Sequence, residues 1–262
     1  MKCALVTGYA TNIGKRIAEK FIANGYQVIG TYYRTTSKYD EAMRKRFPDI
    51  ISYEADFTDV ESLTNLIECL KKHQYDVIVN NAGIINLKDD NTIKNEFDDF
   101  DYSAFTRVMR CNFDAPLRLC LELKNNVKKG GSIVNIASGG GMRATYGSIS
   151  YAASKAALIN LTKSLSNSYF PFNNVRVNSV SPGWVNPDDD SLMGVNEDSP
   201  GAKAALLTPM QRNASTNEIA NVVYYLTTAE ASFINGANIV VDGGWLNHNV
   251  IYYEEAFGNS PI

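Results

Sequence analysis

The sequence predicts an α/β protein: a doubly wound, seven-stranded parallel sheet with helices on both faces, in one domain. Three observations predict it. Short apolar, β-branched segments alternate with segments of helical period along nearly the whole chain, and that alternation implies right-handed crossovers and a parallel sheet. The strand segments are apolar enough for burial on both faces. The first of them runs into a short glycine-bounded loop and then a helix, the junction where an open α/β sheet receives phosphates.

In chain order, "KCALVTG" reads as the first strand and "IGKRIAEKFIANG" as a helix stopped by Gly25. "YQVIGTYY" is the second strand. "SKYDEAMRKRF" is a helix ending before Pro48, and "IISYEA" is the third strand. "DVESLTNLIECLKKH" is helical, and "YDVIVNNAG" is the fourth strand. One long helical stretch, Tyr102 to Asn125, leads to "GSIVNIAS", the fifth strand. "SYAASKAALINLTKSLSNSYF" is a helix and "NVRVNSVSPG" the sixth strand; "STNEIANVVYYLTT" is the last helix and "ANIVVDGG" the last strand. The segment "NPDDDSLMGVNEDSPG" (186–201) and the tail "NHNVIYYEEAFGNSPI" (247–262) fall outside this rhythm. The expected division is therefore a domain over 1–246 followed by a tail.

Composition excludes several functions. With 45% hydrophobic residues in 262, a sizeable core is available, which argues against global disorder. The net charge of -3 and the lack of a basic stripe argue against a nucleic-acid partner. Cys3, Cys69, Cys111 and Cys120 form no C-x-x-C pair and only two His are present, so no metal site is expected. Reduced thiols fit a cytosolic protein. No apolar run reaches the roughly 18 residues of a membrane span, and the first strand begins at once after Met1, so a soluble, cytoplasmic protein is expected.

The loop "TGYATNIG" carries Gly8 and Gly14 at its ends, but Asn12 stands where a dinucleotide loop usually has its middle glycine. Asn enters left-handed backbone conformations more readily than most residues, and its amide can bond a ribose or phosphate oxygen, so the loop remains compatible with a cofactor. The second strand ends "GTYYRTT", without the carboxylate that reads an adenosine ribose. Arg34 with the hydroxyls of Thr35 and Thr36 suits a 2′-phosphate, which favours NADP(H) and leaves NAD(H) open.

Tyr151 and Lys155 lie one helical turn apart on one face. Ser138 closes a strand thirteen residues earlier, in "NIASGGG". A phenol is too weak an acid at its free pKa of about 10. A nearby ammonium favours the phenolate and makes the pair usable for general acid–base work. The Ser hydroxyl can polarise a substrate carbonyl.

With "TGYATNIG", "ADFTD", "VNNAG", "CNF", "IAS", "YAASK", "SPGW" and "GANIVVDGG" in this order, the chain resembles the short-chain dehydrogenase/reductase family over residues 2–246. The resemblance implies a Rossmann-type fold and hydride transfer between a nicotinamide and a carbonyl or secondary alcohol. It implies Tyr151 as proton donor or acceptor, Lys155 as the group that lowers its pKa and holds the nicotinamide ribose, Ser138 as positioner, and Asn112 as anchor of a water in a proton relay. Ile13, Phe57, Ala82 and Gly83 belong to its cofactor-binding motifs. Asp56 would meet the adenine, Asn80 the adenosine side, and Pro182, Gly183 and Val185 the nicotinamide. It further implies a homotetramer or homodimer, with the last helix and the last strand forming one interface. Three departures stand out. Asn12 replaces the middle glycine, which pteridine-reductase-like members also lack. Thr11 sits where many NADP enzymes carry a basic residue, which counts against NADP. Pro187 replaces a Thr that often contacts the carboxamide.

The segment 186–201 is acidic and poor in large apolar residues, which favours a small or polar substrate over a long acyl or steroid one, although Asp188 to Asp190 equally fit a solvated face. A 3-oxoacyl-acyl-carrier-protein reductase is the alternative within the fold, with Lys128 and Lys129 as candidate contacts for an acidic carrier. A catalytically silent cofactor-binding protein is the alternative of another class. The tail, with Val250, Ile251, Tyr252, Tyr253 and Phe257, is expected to pack on a neighbouring subunit or to fray.

Overall fold

The structure, a computed structural model, describes residues 1–85, 95–145, 148–187 and 204–247. The acidic segment from 188 to 201 and the tail from 248 lie outside the described residues. Strand β1 (Lys2–Val6) leads to α1 (Asn12–Ala23), followed by β2 (Tyr26–Tyr32), α2 (Ser37–Arg46), β3 (Ile51–Glu54), α3 (Val60–Leu70) and β4 (Tyr75–Asn80). The second half runs α4 (Tyr102–Met109), α5 (Ala115–Glu122), β5 (Val127–Ile136), α6 (Ile149–Asn173), β6 (Arg176–Pro182), a short pair β7 (Val185–Asn186) and β8 (Ala214–Ser215), α7 (Thr216–Thr227) and β9 (Asn238–Val241).

Seven strands form one sheet in the order β3-β2-β1-β4-β5-β6-β9, all parallel. The order reverses between β1 and β4. Their carboxyl ends therefore splay apart and open a crevice. Alternate residues of β1 serve opposite faces: Leu5 packs with Leu66, Ile67, Leu119 and Leu165, while Ala4 and Val6 pack with Ile17, Phe21, Val223 and Leu226. Each fully buried aliphatic or aromatic side chain contributes about 1.5–3 kcal/mol. The buried positions of α1 (Gly14, Ile17, Ala18 and Phe21) recur at intervals of three and one, the stripe of a half-buried helix. Asp59 opens α3 by accepting from the Ser62 N–H (2.7 Å), and Ser215 and Glu218 cap α7 reciprocally.

The expected single helix from Tyr102 to Asn125 is instead two helices joined by a π turn over Arg110–Asp114. Pro116 explains the break. It has no N–H for the carbonyl four residues back, and the Ala115 N–H donates to the Arg110 carbonyl five residues back. The turn holds Asn112, fully buried, in its wall.

Candidate active site

The crevice is a cleft of ≈ 550 Å³ over the carboxyl ends of β1, β2 and β4. Its floor is the glycine loop. Gly8 (φ 63°) and Asn12 (φ 47°) both take left-handed backbone conformations. Asn12 thus occupies the conformation that a middle glycine would supply. A Cβ on Gly14 would fall 2.0 Å from the Gly8 carbonyl oxygen, so no side chain fits there. Thr11 gives α1 no side-chain cap, which leaves N–H groups of its first turn available to an anion. The Oδ1 of Asn12 is buried without a partner. An uncapped helix start, a glycine cradle and an orphaned amide oxygen together fit a dinucleotide's pyrophosphate and ribose.

Gly8, Asn12, Ile13 and Gly14 line the cleft, as do Thr35, Asp56, Phe57, Ala82 and Gly83. Asp56 is fixed there because its Oδ1 accepts from the Thr58 N–H (2.8 Å) and hydroxyl (2.7 Å). Arg34 does not line the cleft; its exposed guanidinium lies against the Tyr33 ring, 5.4 Å from the centroid. Tyr33, Thr35 and Thr36 form that end of the wall.

Asn80 requires correction. It ends β4 and is buried in the sheet, donating to Asn135 Oδ1 (2.8 Å), and it does not reach the cleft. The next residue does. Asn81 lines the cleft and ties its two loops together by donating to the Thr7 (2.9 Å) and Gly8 (3.1 Å) carbonyls. Consecutive strand residues point to opposite sides, so the step from Asn80 to Asn81 decides which one meets the cleft.

Tyr9 carries no obvious signal in the sequence. It is fully buried, and its hydroxyl donates to Asp40 Oδ1 (2.6 Å) on α2. Arg44 Nε donates to the other Asp40 oxygen (2.9 Å). A Cβ on Gly30 would lie 2.2 Å from the Tyr9 ring, so the glycine in β2 makes room for it. The glycine loop is thereby pinned to α2, just beyond Thr35 and Thr36.

At the far end, β5 delivers Ser138 and α6 delivers Tyr151 and Lys155. Ser138 Oγ accepts from the Gly140 N–H (3.1 Å). It also bears on the Tyr151 phenol, where it favours the phenolate; burial outweighs it and raises the Tyr151 pKa. Lys155 Nζ donates to the Ile136 carbonyl (2.8 Å) and lies 5.7 Å from the Tyr151 ring centroid. Burial lowers its pKa from 10.5 to about 8. The expectation that Lys155 lowers the Tyr151 pKa is not expressed in this arrangement, because its ammonium is engaged with Ile136 and desolvation governs the phenol. Asn112 donates to the Ile84 carbonyl (2.8 Å) and Ser154 (3.0 Å) and accepts from the Ile84 N–H (2.8 Å), which joins the end of β4 to α6.

Gly83 connects the two ends. A Cβ there would sit 3.2 Å from Lys155 Nζ and 3.3 Å from Asn112 Oδ1. Pro182, Gly183 and Val185 stand beside the Ser138 end without lining the cleft. The Pro182 carbonyl oxygen is 3.4 Å from where a Gly139 Cβ would be, and the Gly183 N–H donates to Val241 (3.0 Å).

Against known proteins, a family model described as "Enoyl-(Acyl carrier protein) reductase" matches residues 8–246. The 3-oxoacyl-[acyl-carrier-protein] reductase FabG of Vibrio harveyi is 32% identical over 255 residues, 93% of this chain and 96% of that protein. The chain belongs to the short-chain dehydrogenase/reductase family. The 2-dehydro-3-deoxy-D-gluconate 5-dehydrogenase of Bacillus subtilis is 28% identical over 253 residues, 94% of this chain and 95% of that one. A short chain dehydrogenase from Burkholderia cenocepacia in complex with NADP superposes with a TM-score of 0.82 at 28% identity, over 94% and 98% of the two chains. A 4-hydroxyisoleucine dehydrogenase complexed with NADH does so with 0.82 at 27%, over 95% and 100%. This short-chain dehydrogenase/reductase is accordingly an NAD(P)-dependent oxidoreductase acting between carbonyl and alcohol. Among its described residues no helix is long and apolar enough to cross a membrane.

Proposed function

We propose that the enzyme reduces a small or polar ketone with NADPH, using Ser138, Tyr151 and Lys155. The observation that carries this is the position of Gly83, which lines the cofactor cleft and lies so close to Lys155 that a Cβ on it would come within 3.2 Å of Nζ. The glycine-loop cleft and the proton-handling cluster are therefore one site. When bound, the nicotinamide supplies a hydride to the carbonyl carbon. The chain does the rest. Ser138 holds the carbonyl oxygen and Tyr151 gives it a proton. The raised pKa keeps that phenol protonated at neutral pH, the form a reduction needs. Lys155, charged below about pH 8, would hold the nicotinamide ribose. Pro116 withdraws the usual donor from the Asn112 carbonyl, which we assign to a water that returns protons to Tyr151.

At the adenosine end, Thr35, Thr36 and the neighbouring Arg34 would receive a 2′-phosphate. The nearest acid on α2, Asp40, is buried and held by Tyr9 and Arg44. A structural neighbour with NADH keeps NAD(H) as the second reading. The acyl-carrier reading rests on the FabG likeness; Lys128, one of its two candidate contacts, is paired with Asp76 (2.8 Å). We place the protein in the cytoplasm as a homotetramer, with the 1–246 domain as its unit. Exposed Tyr225 on α7 and Val240 on β9 support an interface on those elements. Light scattering reads the mass. Nicotinamide oxidation over a panel of ketones, sugars, pteridines and acyl thioesters tests the reaction. Arg34→Ala should weaken NADPH by about 1.5–3 kcal/mol and leave NADH nearly unchanged, as loss of a charged hydrogen bond would. Turnover of acyl thioesters alone would move the reading to the acyl-carrier reductase.

A further inference from the structure

We propose that Arg143 anchors a carboxylate on the substrate, so that the site takes keto acids. The inference rests on the reading of Ser138 and Tyr151 as the carbonyl-binding pair.

The loop between those two residues opens with Gly139–Gly141 in a single 3₁₀ turn. A Cβ on Gly140 would lie 3.4 Å from Ser138 Oγ, 3.6 Å from Thr145 Oγ1 and 3.8 Å from Tyr151 Cε1. The glycine thus borders both reacting groups and leaves room beside them. Thr145 folds back onto this turn, its hydroxyl donating to the Gly140 carbonyl (3.3 Å). Arg143 stands between the two, at the outer edge of the loop. Its guanidinium lies over the Trp245 ring, 4.6 Å from the centroid. That ring is seated against Gly139, the neighbour of Ser138, where a Cβ would come within 3.2 Å of Cζ3. The platform is itself fixed. The Trp245 N–H donates to the Asp242 carbonyl (3.1 Å), and the Asp242 carboxylate accepts from the N–H groups of Gly244 (2.9 Å) and Leu246 (2.8 Å).

Arg143 is exposed and always charged. Among the described residues it forms no ion pair and donates no hydrogen bond. Stacking covers one face of the guanidinium and orders it, while its in-plane N–H groups have no partner among the described residues. Those groups form a fork that matches a carboxylate in two parallel hydrogen bonds. A single guanidinium answers a single negative charge, which favours a carboxylate over a phosphate ester. Trp245, seated against Gly139, thus holds the Arg143 cation at the loop that follows Ser138.

The test uses the full-length enzyme saturated with NADPH, with 3-oxobutanoate and 4-oxopentanoate measured against their methyl esters. Wild type should prefer the acids. Arg143→Ala should raise KM for the acid about 10- to 100-fold, the factor one charged hydrogen-bonded contact gives. It should leave kcat and the ester's constants nearly unchanged, and Arg143→Lys should restore part of the loss. Equal effects on acid and ester, or no effect on either, would overturn the proposal. So would an altered assembled mass in Arg143→Ala, or an Arg143 dependence shown only by dihydroxyacetone phosphate. If no ketone is reduced, the reductase reading fails separately. Calorimetry of the NADPH-loaded protein then decides the subsite: acid binding that vanishes in Arg143→Ala supports it, and no acid binding overturns it.

Discussion

Lys155→Met removes the ammonium and keeps most of the volume, so it separates what Lys155 does for catalysis from what it costs the fold. Burial lowers the Lys155 pKa from 10.5 to about 8. At about 1.36 kcal/mol per pH unit, the charged form carries a penalty of about 3 kcal/mol at neutral pH. Methionine escapes it but leaves the Ile136 carbonyl without the Lys155 donor, a loss of about 1–3 kcal/mol. The variant should therefore be as stable as wild type at pH 7, or more stable by up to about 2 kcal/mol, while reductive turnover falls at least ~10²-fold. The pH dependence is more discriminating. Between about pH 8 and 10.5 the unfolded chain binds a proton that native Lys155 has released, so this group makes wild type more stable as pH rises. Urea unfolding of both proteins from pH 7 upward isolates the effect: the one thiol coupled to Lys155, Cys111, is pushed by burial up to about 12, above this window, and groups not coupled to Lys155 cancel in the difference. Wild type should gain on Lys155→Met by up to about 3 kcal/mol across that window. A flat difference, or a variant strongly destabilised at every pH, would refute the desolvation argument. The same charge predicts that wild-type reduction declines as pH passes about 8.

Two further substitutions probe the cofactor end. Asn12→Gly preserves the left-handed conformation and should change NADPH affinity by about one neutral hydrogen bond, ~0.5–1.5 kcal/mol. Asn12→Ala adds a backbone penalty of about 1–2 kcal/mol; titration of both variants separates the amide's contact from the loop's shape. Tyr9→Phe leaves an Asp40 oxygen without its donor and should cost about 1–3 kcal/mol in urea unfolding. By loosening α2 it should also reduce the NADPH-over-NADH preference, which a purely structural role would leave unchanged.

The strand and helix rhythm was legible because parallel strands buried on both faces must be apolar throughout. The convergence of Ser138, Tyr151 and Lys155 was legible because helical spacing fixes two of them and a strand end the third. Asn12 was legible through its tolerance of positive φ. Asn80 was misplaced because one step along a strand reverses direction, and a sequence does not show where the strand stops. Tyr9 was missed because a buried tyrosine in a loop looks like core, and its partner Asp40 lies thirty-one residues away. The π turn had a local signal in Pro116, but helical periodicity runs through it. The engagement of Lys155 with Ile136 depends on side-chain reach in the folded chain, which spacing alone does not encode.

In the proposed reaction Ser138 and Tyr151 would receive a carbonyl beside the cleft that Gly83 lines, where a bound nicotinamide would supply the hydride. NADPH deuterated at the transferring position, incubated with the wild-type enzyme and the ketone that emerges from the panel, tests it by mass spectrometry of the product. Deuterium is expected on the carbinol carbon with wild type, with at least ~10²-fold slower labelling in Tyr151→Phe, which should still bind NADPH. Deuterium retained in tightly bound NADPH with every ketone, or labelling that proceeds equally fast in Tyr151→Phe, would contradict it.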